Sequence, residues 1–446
     1  MRYYLTTLLI CTVTHLLTSS DAIFNNNDSE SIWSTGKGNA QNTYRIVPSM
    51  ATNYSKIPWT YEYNATSQDL TQFGRGVGIN ANFMVCLTSN GIVRWTLSFE
   101  PVETMEPAGV SNIISDRQGV LFYTISWAGD RKFTAKLCQI TNAQTSQPVQ
   151  QCIENYQLFM STNAPLALNE KYDLLVTAVE DNKIDSIPAV LDKKTLKLLW
   201  TNRRFFGAGR NGQYRCDTST GDIFWIGGDT RLLKFDHSGK NLINNYTDAY
   251  LSGIDFVLDK QRQIIVQPWQ NASSLPWKLV VSSYDVSAQQ IKLRWSWCPP
   301  SSIGNNDGIT SPAIDEQGTA YMSSMPLAFA IDSQGKTVWT TQLATSSEMK
   351  TFELYSTCVA MNSKRRVLYI VSVSQSRQGS KSLCFITAVS MDTGKVIERI
   401  NLNLTTNEQI IPQCPILVGD EMLYFSWLTG EYPELVPLKV MGIQQV

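Results

Sequence analysis

The chain has 446 residues, 43% of them hydrophobic and only 17% charged. That excludes a disordered chain and asks for two or three cores or one long repeat array. The 37 Lys and Arg nearly balance the 38 Asp and Glu, so no global field draws the protein to nucleic acid or to an anionic membrane.

Residues 1–20 have the form of a secretory signal peptide. Arg2 supplies the positive end, Leu5 to Leu17 is mostly apolar, and Ser19, Ser20 and Ala22 offer small residues for cleavage. The competing reading, an N-terminal membrane anchor, is disfavoured by a short core interrupted by Thr and His. No later stretch reaches the roughly 18 apolar residues a spanning helix needs. A secreted, extracellular protein without a membrane span is therefore expected. Residues 21–56 form a polar leader rich in Asn, Ser and Gly. Acceptor sequences for N-glycosylation stand at Asn27, Asn53, Asn64, Asn245, Asn271 and Asn403, each weak alone but consistent with export.

From about residue 57 to 446 a repeat takes over. Its densest copy is Ser311 to Leu343, SPAIDEQGTAYMSSMPLAFAIDSQGKTVWTTQL, which reads as four short strands separated by turns. Four strands in about 45 residues is the period of a propeller blade. The third-to-fourth-strand signature, an apolar run, a polar turn and then a strand, recurs with turn positions Asn90, Asn142, Asp192, Asp236, Asp285, Asp332 and Asp392, spaced 44 to 60 residues apart. An incomplete last copy ends at Val436–Ile443. The segment Ile57–Tyr63, IPWTYEY, mimics the fourth strand KTVWTTQ. An N-terminal strand that completes the last blade would leave no free sheet edge. The expected fold is all-β: an eight-bladed β-propeller of four-stranded antiparallel blades, with residues 57–63 as the outer strand of the last.

Eight cysteines follow the leader, an even number that suggests disulfides in an exported chain. Only Cys138 and Cys152, which bracket the turn QITNAQTSQPVQ, are placed opposite each other by the pattern. There is no C-x-x-C pair to suggest a zinc ribbon or a thioredoxin-like site.

The repeated Asp-x-x-Gly-Lys-x-x-Trp pattern, with the leader Trp33-x-x-x-x-Gly-Asn-x-x-Asn-Thr, resembles the quinoprotein-type propeller family. That family includes pyrroloquinoline-quinone (PQQ)-dependent alcohol dehydrogenases and a bacterial outer-membrane-assembly lipoprotein. The resemblance implies that the repeat Trp packs between adjacent blades, a role that carries onto Trp59, Trp95, Trp200, Trp295 and Trp339. The second, fourth and seventh copies lack it. The family's enzymes carry two adjacent cysteines over the quinone and a calcium cluster of Glu, Asn and Asp. This chain has no Cys-Cys dipeptide, so no PQQ or calcium is expected. Asp217 and Asp315 read as turn formers rather than calcium ligands.

Catalytic chemistry is sparse. Of two histidines, His15 lies in the signal segment and His237 follows Asp236 in a hairpin turn, with no G-x-S-x-G elbow in the chain. No catalytic residue is assigned. The connections between blades are richer. After the third blade, NRRFFGAGRNGQYR gathers Arg203, Arg204, Arg210 and Arg215 with Phe205, Phe206 and Tyr214. Cations beside aromatics suit a partner's carboxylates or sulfated sugars. The expectation is a monomeric, non-catalytic scaffold that binds a protein or glycan through its inter-blade loops. The alternative is a quinoprotein-type oxidoreductase or another carboxylate-based propeller enzyme.

Overall fold

The structure is a computed structural model. It describes residues 54–62, 83–87, 93–99, 106–110, 114–116, 118–129, 132–143, 145–153, 166–181, 185–202, 213–226, 231–246, 256–258, 263–270, 279–287, 291–298, 310, 312–362, 365–376, 382–402, 409–418, 422–431 and 434–445.

The strands in chain order are β1 (Tyr54–Glu62), then β2 (Phe83–Leu87) and β3 (Val93–Ser98). Next come β4 (Glu106–Val110), β5 (Ile114–Ser115), β6 (Leu121–Gly129), β7 (Lys132–Thr141) and β8 (Val149–Ile153). They are followed by β9 (Ala167–Asn169), β10 (Leu174–Asp181), β11 (Asp185–Asp192) and β12 (Leu198–Thr201). The next set is β13 (Gln213–Cys216), β14 (Ile223–Ile226), β15 (Arg231–Phe235) and β16 (Asn241–Tyr246). After it stand β17 (Phe256–Leu258), β18 (Gln263–Gln270), β19 (Leu279–Asp285) and β20 (Lys292–Trp297). The densest repeat supplies β21 (Ala313–Ile314), β22 (Ala320–Ser324), β23 (Leu327–Ile331) and β24 (Thr337–Gln342), and a short helix, α1 (Ser346–Thr351), follows. The chain closes with β25 (Phe352–Asn362), β26 (Val367–Ser376), β27 (Ser382–Ser390), β28 (Val396–Asn401), β29 (Gln409–Val418), β30 (Met422–Glu431) and β31 (Glu434–Gln445).

The architecture is all-β and of the propeller type. Each repeat is an antiparallel meander in which sequence neighbours pair, as in the order β21-β22-β23-β24. Among the described residues the β2–β3 sheet has two strands, and in the β4–β8 sheet both β4 and β5 pair with β6. The last sheet runs β1-β31-β30-β29. The N-terminal strand expected at 57–63 is thus present as Tyr54–Glu62, antiparallel to β31, with Trp59 opposite Gly442 and Glu62 opposite Lys439.

Burial explains the sequence pattern. The middle strands AYMSS and LAFAI are buried at every position, because both faces of the sheet are covered. The outer strand TVWTTQ is mostly exposed and buries its Trp. The cores lie between successive sheets. Val257, Val281, Trp295 and Trp297 of one sheet pack with Ile314, Met322, Phe329 and Ile331 of the next. The opposite face of that second sheet presents Tyr321, Ala328 and Ala330 to Val359, Leu368 and Ile370.

By contacts the chain divides into two compact units. Described residues of Ala65–Thr247 make one; those of Ala40–Asn64 and Asp248–Val446 make the other. Among the described residues no helix is long and apolar enough to cross a membrane.

Candidate functional site

The chemistry-bearing side chains of the described residues gather in the turns between first and second strands and between third and fourth. Aspartate opens most of these turns for a local reason: one carboxylate oxygen accepts the amides that the turn leaves unpaired. Asp315 Oδ1 accepts from the Gln317 and Thr319 amides at 3.0 and 2.9 Å. Asp116 Oδ1 takes the Gln118 and Val120 amides, both at 2.9 Å. Asp236 takes the Ser238 hydroxyl and amide and the Lys240 amide, at 2.7, 2.9 and 3.0 Å. Burial opposes ionisation of Asp236, but these donors hold its carboxyl below the ordinary value. Asp217, donated to by Ser219 and Thr220, is lowered in the same way.

The repeat tryptophans reach the third-to-fourth-strand turn of the following sheet. Each indole Nε1 donates to a turn carbonyl: Trp95 to Ala143 at 2.7 Å, Trp200 to His237 at 3.1 Å, Trp295 to Ser333 at 3.0 Å and Trp339 to Met391 at 2.7 Å. The strand prepares this reach. In the β2–β3, β11–β12, β19–β20 and β23–β24 pairs the register breaks immediately beside the Trp, and a bulge re-aims a side chain. For Trp200, Trp295 and Trp339 the receiving turn carries a glycine against the ring. A Cβ on Gly335 would lie 2.6 Å from the Trp295 ring, and one on Gly394 2.7 Å from that of Trp339. Four of the five implied tryptophans therefore dock between neighbouring sheets. The side chain of Trp59 lies outside the described residues.

Two cationic hubs tie turns of adjacent sheets. In the first unit Lys193, on the β11–β12 turn, stands 3.2 Å from Asp116 of the preceding sheet. It also stands 3.1 Å from Glu170 and 3.2 Å from Asp173 of its own. Lys193 and Asp116 are buried. Burial works against the ammonium, but Glu170 and Asp116 outweigh it and hold its pKa above the ordinary lysine value. In the second unit Arg366, on the β25–β26 turn, stands 3.0 Å from Asp315 of the preceding sheet and 2.8 Å from Asp392 of its own. The Tyr321 hydroxyl donates to the same Asp315 Oδ2 at 2.8 Å. Burial and then Asp315 push the Tyr321 phenol well above its ordinary range. Asp116 and Asp315 occupy matching positions, so each spends one oxygen on its own turn and offers the other to the next sheet.

His237 is exposed, with its ring stacked on Tyr172 at 3.9 Å between centroids. The thiols of Cys216 and Cys384 are free but buried, and burial pushes both pKa values far up, which leaves them unreactive. Among the described residues no group of three or more His, Cys, Asp or Glu is placed to hold a metal ion.

The expected partner-binding residues divide. Arg203, Arg204, Phe205, Phe206 and Arg210 lie outside the described residues. Tyr214 and Arg215 correct the expectation of a loop position: both sit in β13, each only 1% exposed. The Arg215 guanidinium donates to the Tyr214 carbonyl at 2.9 Å. The stretch YRCD is the first strand of a repeat, leading into the Asp217 turn, so its side chains are packed rather than presented. The pairing of Cys138 with Cys152 is found: the two face each other across β7 and β8 and form a disulfide. Of the glycosylation candidates Asn245 lies on β16, opposite Leu232; Asn27, Asn53, Asn64, Asn271 and Asn403 are outside the described residues. Lys193 and Arg366 went unnoticed in sequence, since each sits in a pair of like charges, Lys193-Lys194 and Arg365-Arg366, that reads as a solvated turn.

The chain matches no protein-family model and no curated protein. Among solved structures it is similar to BamB from Moraxella catarrhalis, at 12% sequence identity and a TM-score of 0.42, over 79% of this chain and 86% of that one.

Proposed function

We propose that the chain is a secreted, N-glycosylated scaffold whose eight repeats close one propeller ring, and that it binds a protein or glycan partner through the connections between repeats. The reading rests on how the described polar groups are used. The turn carboxylates serve their own turns, and Lys193 and Arg366 tie neighbouring sheets. That end of the strands is committed to holding sheets together. Recognition then falls to the connections at the other strand ends, and residues 203–212, between β12 and β13, combine three arginines with two phenylalanines. With Tyr214 and Arg215 packed, the recognising set contracts to Arg203, Arg204, Phe205, Phe206 and Arg210. The Cys138–Cys152 disulfide supports an oxidising compartment.

The test is capture of partners from extracellular fluid by the wild-type chain and by a variant carrying Arg203→Ala, Arg204→Ala and Arg210→Ala. Loss of at least one specific partner is expected, with the far-ultraviolet spectrum unchanged. Retention of every captured partner sinks the reading. A quinone-like absorbance band with dye-linked alcohol oxidation, after addition of PQQ and calcium, would replace it with the oxidoreductase.

A further inference from the structure

We infer that Cys358 is bonded to Cys414, so that a disulfide ties the first strand of the β25–β28 sheet to the first strand of the last sheet. Cys358 is 4% exposed in β25 and is one half of a disulfide. Cys138 and Cys152 are bonded to each other, and Cys216, Cys298 and Cys384 are free thiols. Cys11, Cys86 and Cys414 remain in the sequence. Cys11 falls in the signal-like segment. Cys86 is on β2, which pairs with β3. Cys414 is on β29, and β29 packs along β25.

The backbone supplies a second argument. In its own sheet Cys358 faces Val371 across β26, so its partner must come from outside that sheet. The β25–β26 register breaks between Ser356 and Cys358. The β29–β30 register breaks between Gln413 and Leu417, the interval that contains Cys414. Such a break takes a side chain out of the regular alternation and bends the strand. Both cysteines thus occur at irregularities in two strands that run side by side, and disulfide geometry demands that closeness.

Bond formation is an exchange. The Cys358 and Cys414 thiols together give up two protons and two electrons, and one S–S bond forms. A protein or small-molecule disulfide of an oxidising compartment accepts them and leaves as two thiols, through a mixed-disulfide intermediate. The bond would anchor the sheet that both ends of the chain build, since β29 to β31 are completed by β1.

Peptide mapping reads this directly. Trypsin places Cys358 alone in residues 351–364 and Cys414 alone in residues 400–439. The chain is secreted from eukaryotic cells, its free thiols are alkylated under denaturing conditions, and N-glycans are removed before digestion without reduction. The expected species is the 351–364 peptide linked to the 400–439 peptide, lost on reduction. An alkylated Cys358, or Cys358 linked to Cys86, overturns the inference. In a Cys414→Ser chain the denatured protein should carry the same number of free thiols plus that of Cys358; should this variant fail to fold, the wild-type map alone decides.

Discussion

The two oxygens of the Asp315 carboxylate have separate partners. Oδ1 accepts the turn amides of Gln317 and Thr319, and Oδ2 accepts from Tyr321 and Arg366. Substitution can separate these uses. Asp315→Asn keeps an amide oxygen for the turn but removes the charge from Arg366, and hydrogen bonds to charged groups contribute about 1.5–3 kcal/mol. A loss of that size in urea unfolding is expected. Asp315→Ala should cost more, because the turn amides lose their acceptor as well. Equal losses would show that the turn bonds contribute nothing, and an unchanged midpoint in Asp315→Asn would show that the inter-sheet bond contributes nothing. Gly335 is a second case. It has φ of 83°, and a Cβ there would press on the Trp295 ring. A residue other than glycine in that backbone region costs about 1–3 kcal/mol, before the ring is displaced. Gly335→Ala should therefore lower the unfolding midpoint and shift tryptophan emission. Gly318 has a similar φ of 81°, so Gly318→Ala should show a loss from the same backbone strain.

At the scale of the element, the Lys193 turn holds two sheets through one buried cation. Lys193→Met keeps the length of the stem but strips the ammonium from Asp116 and Glu170. Removing one partner of a buried ion pair costs about 3–5 kcal/mol, and denaturant unfolding should register a loss in that range. The pH dependence has two signs. Lys193 has a raised pKa, so its stabilisation is whole below the unfolded lysine value of about 10.4 and is lost as pH climbs through the folded value. Burial opposes charge on Asp173, but hydrogen bonds from Lys193 and Lys194 lower its pKa. Its contribution is whole above the unfolded aspartate value of about 3.9 and is lost as pH falls through the folded one. Lys193→Met should therefore flatten the alkaline limb of the stability profile as well as part of the acid limb; an unaltered alkaline limb would refute the assignment. What the sequence revealed follows the same division. Trp95, Trp200, Trp295, Trp339 and the turn aspartates were legible because their signals are local and periodic. The Cys138–Cys152 bond was legible because one hairpin contains both halves. Lys193 and Arg366 were not, because each takes a partner from the turn of another repeat. Arg215 was misplaced because an arginine two residues before a turn aspartate looks solvated, and only the packed strand around it shows otherwise.

The whole chain depends on how its sheets are fastened, and two fastenings join residues distant in sequence or across a hairpin. The Cys138–Cys152 bond closes a loop with a separation of 14 residues, worth about 3 kcal/mol in the chain-entropy account. It stands in the one described third-to-fourth-strand pair whose register runs without a break. There the bond takes the place that a bulge and a docked Trp fill in the β2–β3, β11–β12, β19–β20 and β23–β24 pairs. The other fastening, β1 on β31, was legible because IPWTYEY repeats the outer-strand pattern at the wrong end of the chain. An outer strand covers the hydrogen-bonding edge of its neighbour, and a long uncovered edge invites pairing with another chain. A chain beginning at residue 64 would leave β31, which runs from Glu434 to Gln445, without β1. It should melt at lower temperature and associate as its concentration rises. A synthetic peptide of residues 54–62 supplied in excess should bind that edge as an added strand, restore the melting temperature and disperse the oligomers. A peptide of the same composition in scrambled order has no register to offer and should do neither. If the shortened chain melts as the full one does, β1 contributes no closure, and the last sheet stands on its own three strands.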